Sequence, residues 1–199
     1  MNTVTKTSRD LIQKTDVPVG VSGAWEVARF EVTSDGARFE NLRAAIGGSA
    51  RSIVAGEYTR LMRNRTLVMS DTPAEMDDIW EPVHRASGVC LINGLGLGIV
   101  TEAILRKKEV TRVIVVEIAQ EVIDLVGLHL EDRWGSRLEL HRGDAFTFQP
   151  PRGVRFGVVW HDIWDNICTD NRAGMSRLKR RYESRTDWQG CWCEHYARR

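Results

Sequence analysis

Three glycines at alternate positions are the first feature of this sequence with a chemical use. Gly94, Gly96 and Gly98 directly follow an apolar run at residues 89–92 and precede a stretch at 99–108 that has the composition of a helix. A strand that turns into a helix without side chains lets a ligand press against bare backbone, beside the positive end of the helix dipole. This arrangement is typical of a cradle for a nucleoside.

Carboxylates follow the apolar runs that come next along the chain. Glu117 closes residues 113–116, about 20 residues after the glycine turn, where a carboxylate can accept hydrogen bonds from both hydroxyls of a ribose. Asp144 and Asp162 follow two further predicted strands, and Asp165 stands three residues beyond Asp162. Ligands of open parallel sheets bind beyond the carboxyl ends of the strands, so these side chains are expected to line one crevice. A carboxylate at its mouth can orient or deprotonate a nucleophile.

The elements that must position these residues alternate between strand and helix. Thr72, Pro73 and Glu75 predict a helix start, with a capping box and proline at the first helical position. Neighbouring parallel strands need long crossover connections, which helices usually supply. The alternation of strands and helices therefore predicts an α/β fold, a Rossmann-like parallel sheet with helices on both faces. We expect this sheet to be shortened at the C-terminus, since the residues after Asp165 are mostly polar and basic. Strands are predicted at residues 67–70, 89–92, 113–116, 138–141 and 156–160, and helices at 72–87, 99–108 and 122–130.

The chain ahead of this pattern is expected to form a small β-containing extension. Residues 1–24 show no period and are predicted to be a loose lead-in, whereas alternation over residues 25–32 predicts a half-buried strand. Residues 41–46 suit a short helix that Gly47 and Gly48 would close. The expected division is an N-terminal extension at residues 1–65 and a Rossmann-like domain with a basic helical tail at residues 66–199.

Two other nucleotide-binding patterns do not fit. The dinucleotide fingerprint G-x-G-x-x-G would need its third glycine where this sequence has Ile99. The P-loop lysine pattern is also missing from the sequence. Neither a bound pyrophosphate nor nucleotide hydrolysis is therefore expected.

Successive segments of the chain resemble the motifs of class I S-adenosylmethionine-dependent methyltransferases. These segments are Leu91-Ile92-Asn93-Gly94-Leu95-Gly96-Leu97-Gly98, Val115-Val116-Glu117-Ile118 and Gly143-Asp144-Ala145. Within that superfamily, Val159-Trp160-His161-Asp162-Ile163-Trp164-Asp165 is similar to the strand-four segment of spermidine-synthase-type aminopropyltransferases, in which two aspartates stand three apart. The resemblance covers residues 66–165.

The resemblance implies S-adenosylmethionine, or its decarboxylated form, as the cofactor. It implies that Glu117 bonds the ribose hydroxyls and that Asp144, with the backbone of Ala145, recognises adenine. Asp162 and Asp165 would be the catalytic pair, one beside the sulfonium and the other near the acceptor. The cofactor-binding residues implied in this way are Asn93, Gly94, Leu95, Gly96, Gly98, Glu117, Ile118, Asp144 and Ala145.

The leading expectation is methyl transfer to a small-molecule acceptor. Aminopropyl transfer from the decarboxylated cofactor is an alternative on the same fold, although the Gln and Tyr-His-Glu cluster that aminopropyltransferases carry before the glycine turn is missing from residues 70–86. A non-catalytic module of this fold, which binds nucleic acid or a protein through its arginine-rich segments, is the third hypothesis.

Composition narrows the partners. The 199 residues carry a net charge of +1 and contain no apolar run of the roughly 20 residues that a membrane span needs, so we expect a cytoplasmic protein without a membrane contact. Two basic stretches, at residues 60–65 and 172–185, leave nucleic acid open as a partner, but a solvated helix face is the favoured interpretation of the second. A homo-oligomer is left open as well.

Cysteines close to the C-terminus raise the question of a metal. Cys191, Cys193 and His195 lie close together, but tetrahedral zinc sites usually take a second ligand pair, which the sequence does not offer. We predict a packed tail with reduced thiols and no metal.

Overall fold

The computed structural model of the chain describes residues 7–46, 51–166 and 168–196, and within them it contains two β-sheets. The first sheet is antiparallel, and its four strands are neighbours in chain order. These strands are β1 (Gly20–Ser22), β2 (Trp25–Val32), β3 (Gly56–Arg63) and β4 (Thr66–Ser70).

The second sheet is parallel throughout and has the spatial order β7-β6-β5-β8-β9. The chain builds outward from β5 to β7 and then crosses back to place β8 on the other side of β5. This reversal creates a topological switch point between β5 and β8, where open parallel sheets bind their ligands. The strands are β5 (Gly88–Asn93), β6 (Val110–Glu117), β7 (Leu138–Arg142), β8 (Phe156–His161) and β9 (Thr186–Cys191).

Helices cover both faces of the parallel sheet. Val83, Val100 and Leu130, from three helices, are buried on one face, and Tyr182 is buried on the other. The helices are α1 (Ser8–Leu11), α2 (Ser34–Ile46), α3 (Pro73–Asp78), α4 (Trp80–Arg85), α5 (Ile99–Leu105), α6 (Gln120–Val122), α7 (Leu128–Trp134) and α8 (Asn171–Tyr182). A π-helical turn, Ile123–Gly127, joins α6 to α7. The prediction of a Rossmann-like α/β fold is confirmed.

Strand β6 shows why the sheet forms where it does. Its run Val113–Val116 consists entirely of β-branched residues and is at most 1% exposed. Strands of a parallel sheet are buried on both faces, so a continuous apolar run, rather than an alternating one, is their usual pattern. Covered on both sides, β6 carries the carboxylate of Glu117 to the edge of the sheet.

Several predicted boundaries are wrong. The helix expected at residues 72–87 is two helices, α3 and α4, which break at Ile79. Thr72 makes no side-chain cap, and its hydroxyl lies 3.0 Å from that of Ser70, whose N–H and hydroxyl also donate to Glu75. Helix α2 begins at Ser34, seven residues before the predicted start. Gly47 and Gly48 lie outside the described residues.

Both ends of the chain are more ordered than the sequence suggested. Residues 7–24, predicted to be loose, contain α1 and β1, and Val17 among them is fully buried. Residues 186–191, predicted as part of a helical tail, form β9, a fifth parallel strand beside β8. No helix in the described parts of the chain is long and apolar enough to cross a bilayer.

Candidate functional site

A cavity of about 450 Å³ lies at the carboxyl edge of the parallel sheet, beside the switch point between β5 and β8. Its volume is in the range of pockets that hold small organic ligands. Its walls come from both sheets and from the segment after β9. They are formed by Trp25, Leu61, Arg63, Val68, Met69, Glu75, Gly94, Gly96, Val116, Glu117, Ile118, Val122, Gly143, Asp144, Ala145, Phe146, Asp162, Ile163, Trp164, Asp165 and Trp192.

The glycine turn forms the floor of this cavity. Gly94 has a φ of +96° and follows the last residue of β5. A Cβ atom at this position would overlap the backbone carbonyl of Asp162. The N–H of Asp162 in turn donates to the carbonyl of Asn93 at 2.8 Å. The missing side chain therefore lets the turn after β5 and the turn after β8 meet.

Glu117 ties the glycine turn to the start of α6. Its Oε2 accepts the N–H of Leu95 at 2.8 Å, and its Oε1 accepts the N–H of Ala119 at 2.8 Å. The residue is 8% exposed and lines the cavity. A carboxylate has about four acceptor sites, so each oxygen keeps capacity for a further hydrogen bond. Glu117 can hold its own loop and still bind a ligand hydroxyl.

Residues after β6 and β7 form the wall expected to face a purine. Ile118 is 68% exposed and presents an apolar side chain to the cavity. Asp144 lines the same wall, and its Oδ1 accepts the N–H of Phe146 at 2.8 Å. This bond makes Asp144 a turn residue and at the same time fixes its carboxyl group at the cavity.

Asp162 stands among acidic side chains at the inner end of the cavity. Burial raises the pKa of the Asp162 carboxyl to about 7, against the opposing effect of the Trp160 indole. Nearby carboxylates raise the pKa further, namely those of Glu75, Asp78 and Glu117. A carboxyl group with a pKa near neutrality can take up or release a proton at working pH.

The segment after β9 forms the wall opposite the purine side. Trp192 lines the cavity, and its Nε1 donates to Asp78 Oδ2 at 3.3 Å. The same Asp78 oxygen accepts a hydrogen bond from Arg51 at 2.6 Å. Asp165 lines the cavity too, but it is exposed at its rim, whereas Asp162 lies inside.

The N-terminal sheet forms the roof, which the sequence did not indicate. Met69 on β4 packs on the glycine turn, where its Sδ accepts the N–H of Leu97 at 3.1 Å. Trp25 on β2 and Arg63 on β3 are partners in register and reach the cavity side by side. The alternating pattern around Trp25 predicted its strand, but no local pattern states which surface a strand will cover.

Three of the expected cofactor-binding residues do not line the cavity. The side chain of Leu95 is buried in the core, and Gly98 begins α5 beneath the turn. Asn93 points to the α8 side of the sheet, where its amide donates to Nδ1 of His161 at 2.8 Å. Burial lowers the pKa of His161 to about 4, so this imidazole is neutral and holds the ends of β5 and β8 together. The other expected residues, Gly94, Gly96, Glu117, Ile118, Asp144, Ala145, Asp162 and Asp165, all line the cavity.

The basic stretch on and after α8 is largely used inside the molecule. Arg181 donates to the carbonyl of Phe148 at 2.7 Å, and Arg185 donates to the carbonyl of Pro151 at 2.6 Å. Lys179 forms an ion pair with Glu194. These cations fix the loop before β8 and the segment after β9, so they are not simply a solvated face.

The thiols near the C-terminus are buried. Cys191 and Cys193 are each 4% exposed, and Cys193 Sγ donates to Asp78 Oδ2 at 3.5 Å. Burial, followed by the charge of Asp78, raises the pKa of the Cys193 thiol to about 12. The described residues contain no group of three or more His, Cys, Asp or Glu side chains arranged to hold a metal.

Comparisons with known proteins give partial structural likenesses. No protein-family model and no curated protein sequence matches the chain. A dimethyladenosine transferase from Plasmodium falciparum is 26% identical over 46% of this chain and 32% of its own length, with a TM-score of 0.38. The 23S rRNA methyltransferase ErmE is 15% identical over 58% of this chain and 44% of its own, with a TM-score of 0.46.

A third solved structure has a similar degree of likeness. An S-adenosylmethionine-dependent methyltransferase from Clostridium acetobutylicum is 15% identical over 56% of this chain and 44% of its own, with a TM-score of 0.40. The chain thus spans less than half the length of each of these three proteins. The α/β fold assigned to it rests on its own strand order.

Proposed function

We propose that the cavity binds S-adenosylmethionine and that the protein transfers the methyl group to an acceptor. The observation that carries the proposal is the convergence of a glycine turn and three strand-end carboxylates, Glu117, Asp144 and Asp162, on one cavity at the topological switch point. Glycines at a strand-to-helix turn can also serve packing alone. An acid at the end of each neighbouring strand, all lining the same cavity, favours a ligand.

The residues present fit an adenosyl cofactor. Glu117 has free acceptor capacity for the two ribose hydroxyls, and Gly94 and Gly96 offer bare backbone to the methionine portion. Asp144 and the backbone of Ala145 suit an adenine amino group, and the exposed side chain of Ile118 gives the base an apolar surface. The negative charge of the cavity matches the positive charge of a sulfonium and an ammonium group.

The bound cofactor supplies an electrophilic methyl group. Asp162 lines the cavity and would accept the proton that the acceptor atom loses as it takes the methyl group. With a pKa of about 7, this carboxyl group is ionised in a large fraction of molecules at neutral pH and can accept a proton. Trp164 and Trp192 add aromatic walls to the same cavity.

Calorimetry with S-adenosylhomocysteine tests the cofactor site. Glu117→Gln replaces one acceptor oxygen by a donor, so we expect affinity to fall by about tenfold to a hundredfold, the value of hydrogen bonds to a charged group. Glu131→Gln on the exposed side of α7 makes the same change away from the cavity and should bind like the wild type. A wild type that binds neither this ligand nor S-adenosylmethionine contradicts the proposal, as does equal binding by the two variants.

Product analysis separates methyl from aminopropyl transfer. We expect turnover to release S-adenosylhomocysteine. The reason is that residues 70–86 lack the Gln and the Tyr-His-Glu cluster with which aminopropyltransferases grip polyamines. Chromatography of the reaction identifies the nucleoside. Methylthioadenosine, formed from the decarboxylated cofactor alone, would assign the chain to the spermidine-synthase-like branch instead.

A further inference from the structure

Two arginine–aromatic pairs flank the mouth of the cavity. The guanidinium carbon of Arg63 lies 5.5 Å from the ring centroid of Trp25, and that of Arg177 lies 5.0 Å from the ring centroid of Phe146. Both aromatic rings line the cavity. Guanidinium groups at this distance over a ring are held by a cation–π interaction, which leaves their N–H donors available.

These two cations differ from Arg181 and Arg185, on and after α8. Arg63 and Arg177 are exposed, and neither forms an ion pair with a carboxylate of the residues that the structure describes. Arg181 and Arg185, by contrast, donate to backbone carbonyls of the loop before β8. Arg63 and Arg177 therefore add uncompensated positive charge at the entrance, where a ligand would meet it.

The pairs stand on different walls. Trp25 and Arg63 belong to the antiparallel sheet, whereas Phe146 follows β7 and Arg177 lies on α8. Inside the mouth, the cavity has further aromatic walls and the acids around Asp162. The cations thus lie at the entrance of the cavity and the carboxylates lie within it, apart from Asp165 at the rim. An anionic chain is favoured at the entrance, and only an uncharged or cationic group is favoured within.

We propose that the acceptor is a single-stranded nucleic acid, with its phosphates on Arg63 and Arg177 and one unstacked base in the cavity between Trp25 and Phe146. The proposal rests on the methyl transfer proposed above. Single strands suit this shape because their bases are free to stack on aromatic rings and guanidinium planes. A duplex would have to expel a base before any of its atoms reached Asp162, at a cost in unpairing and unstacking.

Fluorescence anisotropy of labelled strands tests the site. The probes are a fluorescein-labelled RNA of about 20 nucleotides, DNA of the same sequence, and the corresponding duplex. We expect the full chain to bind the single strands. The logarithm of the association constant should fall linearly with the logarithm of the salt concentration between about 50 and 200 mM. The Arg63→Gln/Arg177→Gln double variant should bind about tenfold or more weakly and reduce the salt slope by about 1.4, or about 0.7 for each lost phosphate contact.

Arg152→Gln provides the matched control. Arg152 is equally exposed but lies beside Arg155 and Ser184, near the amino ends of β8 and β9. Its loss should leave both affinity and salt slope unchanged, and thermal melting should show that all variants are folded. Tighter binding of RNA than of DNA, or the reverse, supports the proposal and identifies the natural strand.

Four results would overturn the proposal. The first two are no binding of either single strand by the wild type, and equal losses of affinity in the double variant and the control. The third is a duplex bound as tightly as the single strands. The fourth is displacement of the strands by polyglutamate at equal charge, which would favour an acidic protein as the partner. Calorimetry with S-adenosylhomocysteine on the same wild-type sample keeps the two proposals apart. Cofactor binding without strand binding refutes this one alone, whereas absence of cofactor binding refutes the methyltransferase itself.

Discussion

The raised pKa of Asp162 suits it to accept a proton but lowers the stability of the folded protein at neutral pH. Its position inside the cavity, among the carboxylates of Glu75, Asp78 and Glu117, raises its pKa and so favours the protonated form in the folded protein. The unfolded chain has the ordinary aspartate pKa of 3.8. Between these two values the folded state binds more protons, so stability falls as the pH rises from about 4 to 7. The base that we propose for the reaction is thus obtained at the expense of stability.

Replacement of this carboxyl should separate the two properties. Asp162→Asn is expected to stabilise the protein at pH 8 by on the order of 2 kcal/mol, or about 4–8 °C in Tm, with little gain at pH 4, because the wild-type group is protonated there. Methyl transfer should fall by about a hundredfold or more. Calorimetric melting at the two pH values and a turnover assay check this. Asp165→Asn at the exposed rim is the control, and an equal gain in its Tm would contradict the explanation by burial.

At this scale the sequence predicted the acids but not their surroundings. Glu117, Asp144 and Asp162 could be named because each stands at or just after the end of a predicted strand, and all three line the cavity. Trp25 and Trp192 could not, because what places them is contact with segments far away in the chain. The local sequence shows how far a residue stands from the end of a strand. It does not show which residues will face it across the cavity.

Among the elements, buried strands were predicted best. β5, β6 and β8 are continuous apolar runs, which only a buried element tolerates. β9 was missed because its sequence, Thr186-Asp187-Trp188-Gln189-Gly190-Cys191, is mostly polar. It lies at the edge of the sheet with β8 as its one partner, so it needs no apolar run. The break between α3 and α4 was missed because Met76, Ile79 and Val83 recur at helical spacing straight across it.

The start of α5 offers a clean test of how glycines build the turn. Gly98 and Gly153 have the same φ of +74°, but a Cβ on Gly98 would meet the side chains of Leu130 and Val126, whereas nothing lies within 4 Å of one on Gly153. Both alanine variants should lose about 1–2 kcal/mol from the left-handed backbone. Gly98→Ala should lose a further 1–3 kcal/mol, roughly, from overpacking.

Urea denaturation of the two glycine variants measures this difference directly. Equal losses would mean that α7 moves away from the turn at no cost and that the glycine is retained for its backbone conformation alone. A larger loss at Gly98 would show that the contact between α5 and α7 fixes the height of the turn, and with it the floor of the cavity.

One ion-pair network joins the N-terminal segment to the parallel domain, beside the hydrophobic core that the two share. Arg133 on α7 bonds Asp16 at 2.5 Å and Glu102 at 2.7 Å, and Glu102 is only 2% exposed. The hydrogen bond from Arg133 lowers the pKa of Asp16 to about 2. Because this pKa is depressed, the stabilisation is present above pH 4 and is lost as the pH falls toward 2. The anchor between the segment ahead of β1 and α7 is therefore acid-sensitive.

Removal of this arginine should cost more than removal of a surface partner. Arg133→Gln leaves Glu102 buried with weaker compensation from Arg106, so we expect a loss of about 2–3 kcal/mol at pH 7. Arg9→Gln breaks an exposed pair with Asp77, whose side chains are 69% and 62% exposed, and should change the free energy of unfolding by less than about 1 kcal/mol. Chemical denaturation compares the two, and similar losses would refute the anchoring role.

Trp25 and Trp192 face one cavity although almost the whole sequence separates them. During synthesis, the glycine turn and the strand-end acids emerge well before β9 and the segment after it have left the ribosome. A nascent chain can thus fold its central strands while the pocket still lacks a side, and the cofactor cannot rescue it at that stage. Ligand-dependent protection from proteases should begin only once β9 and the segment after it have emerged, so the chain is more exposed to proteases before that point.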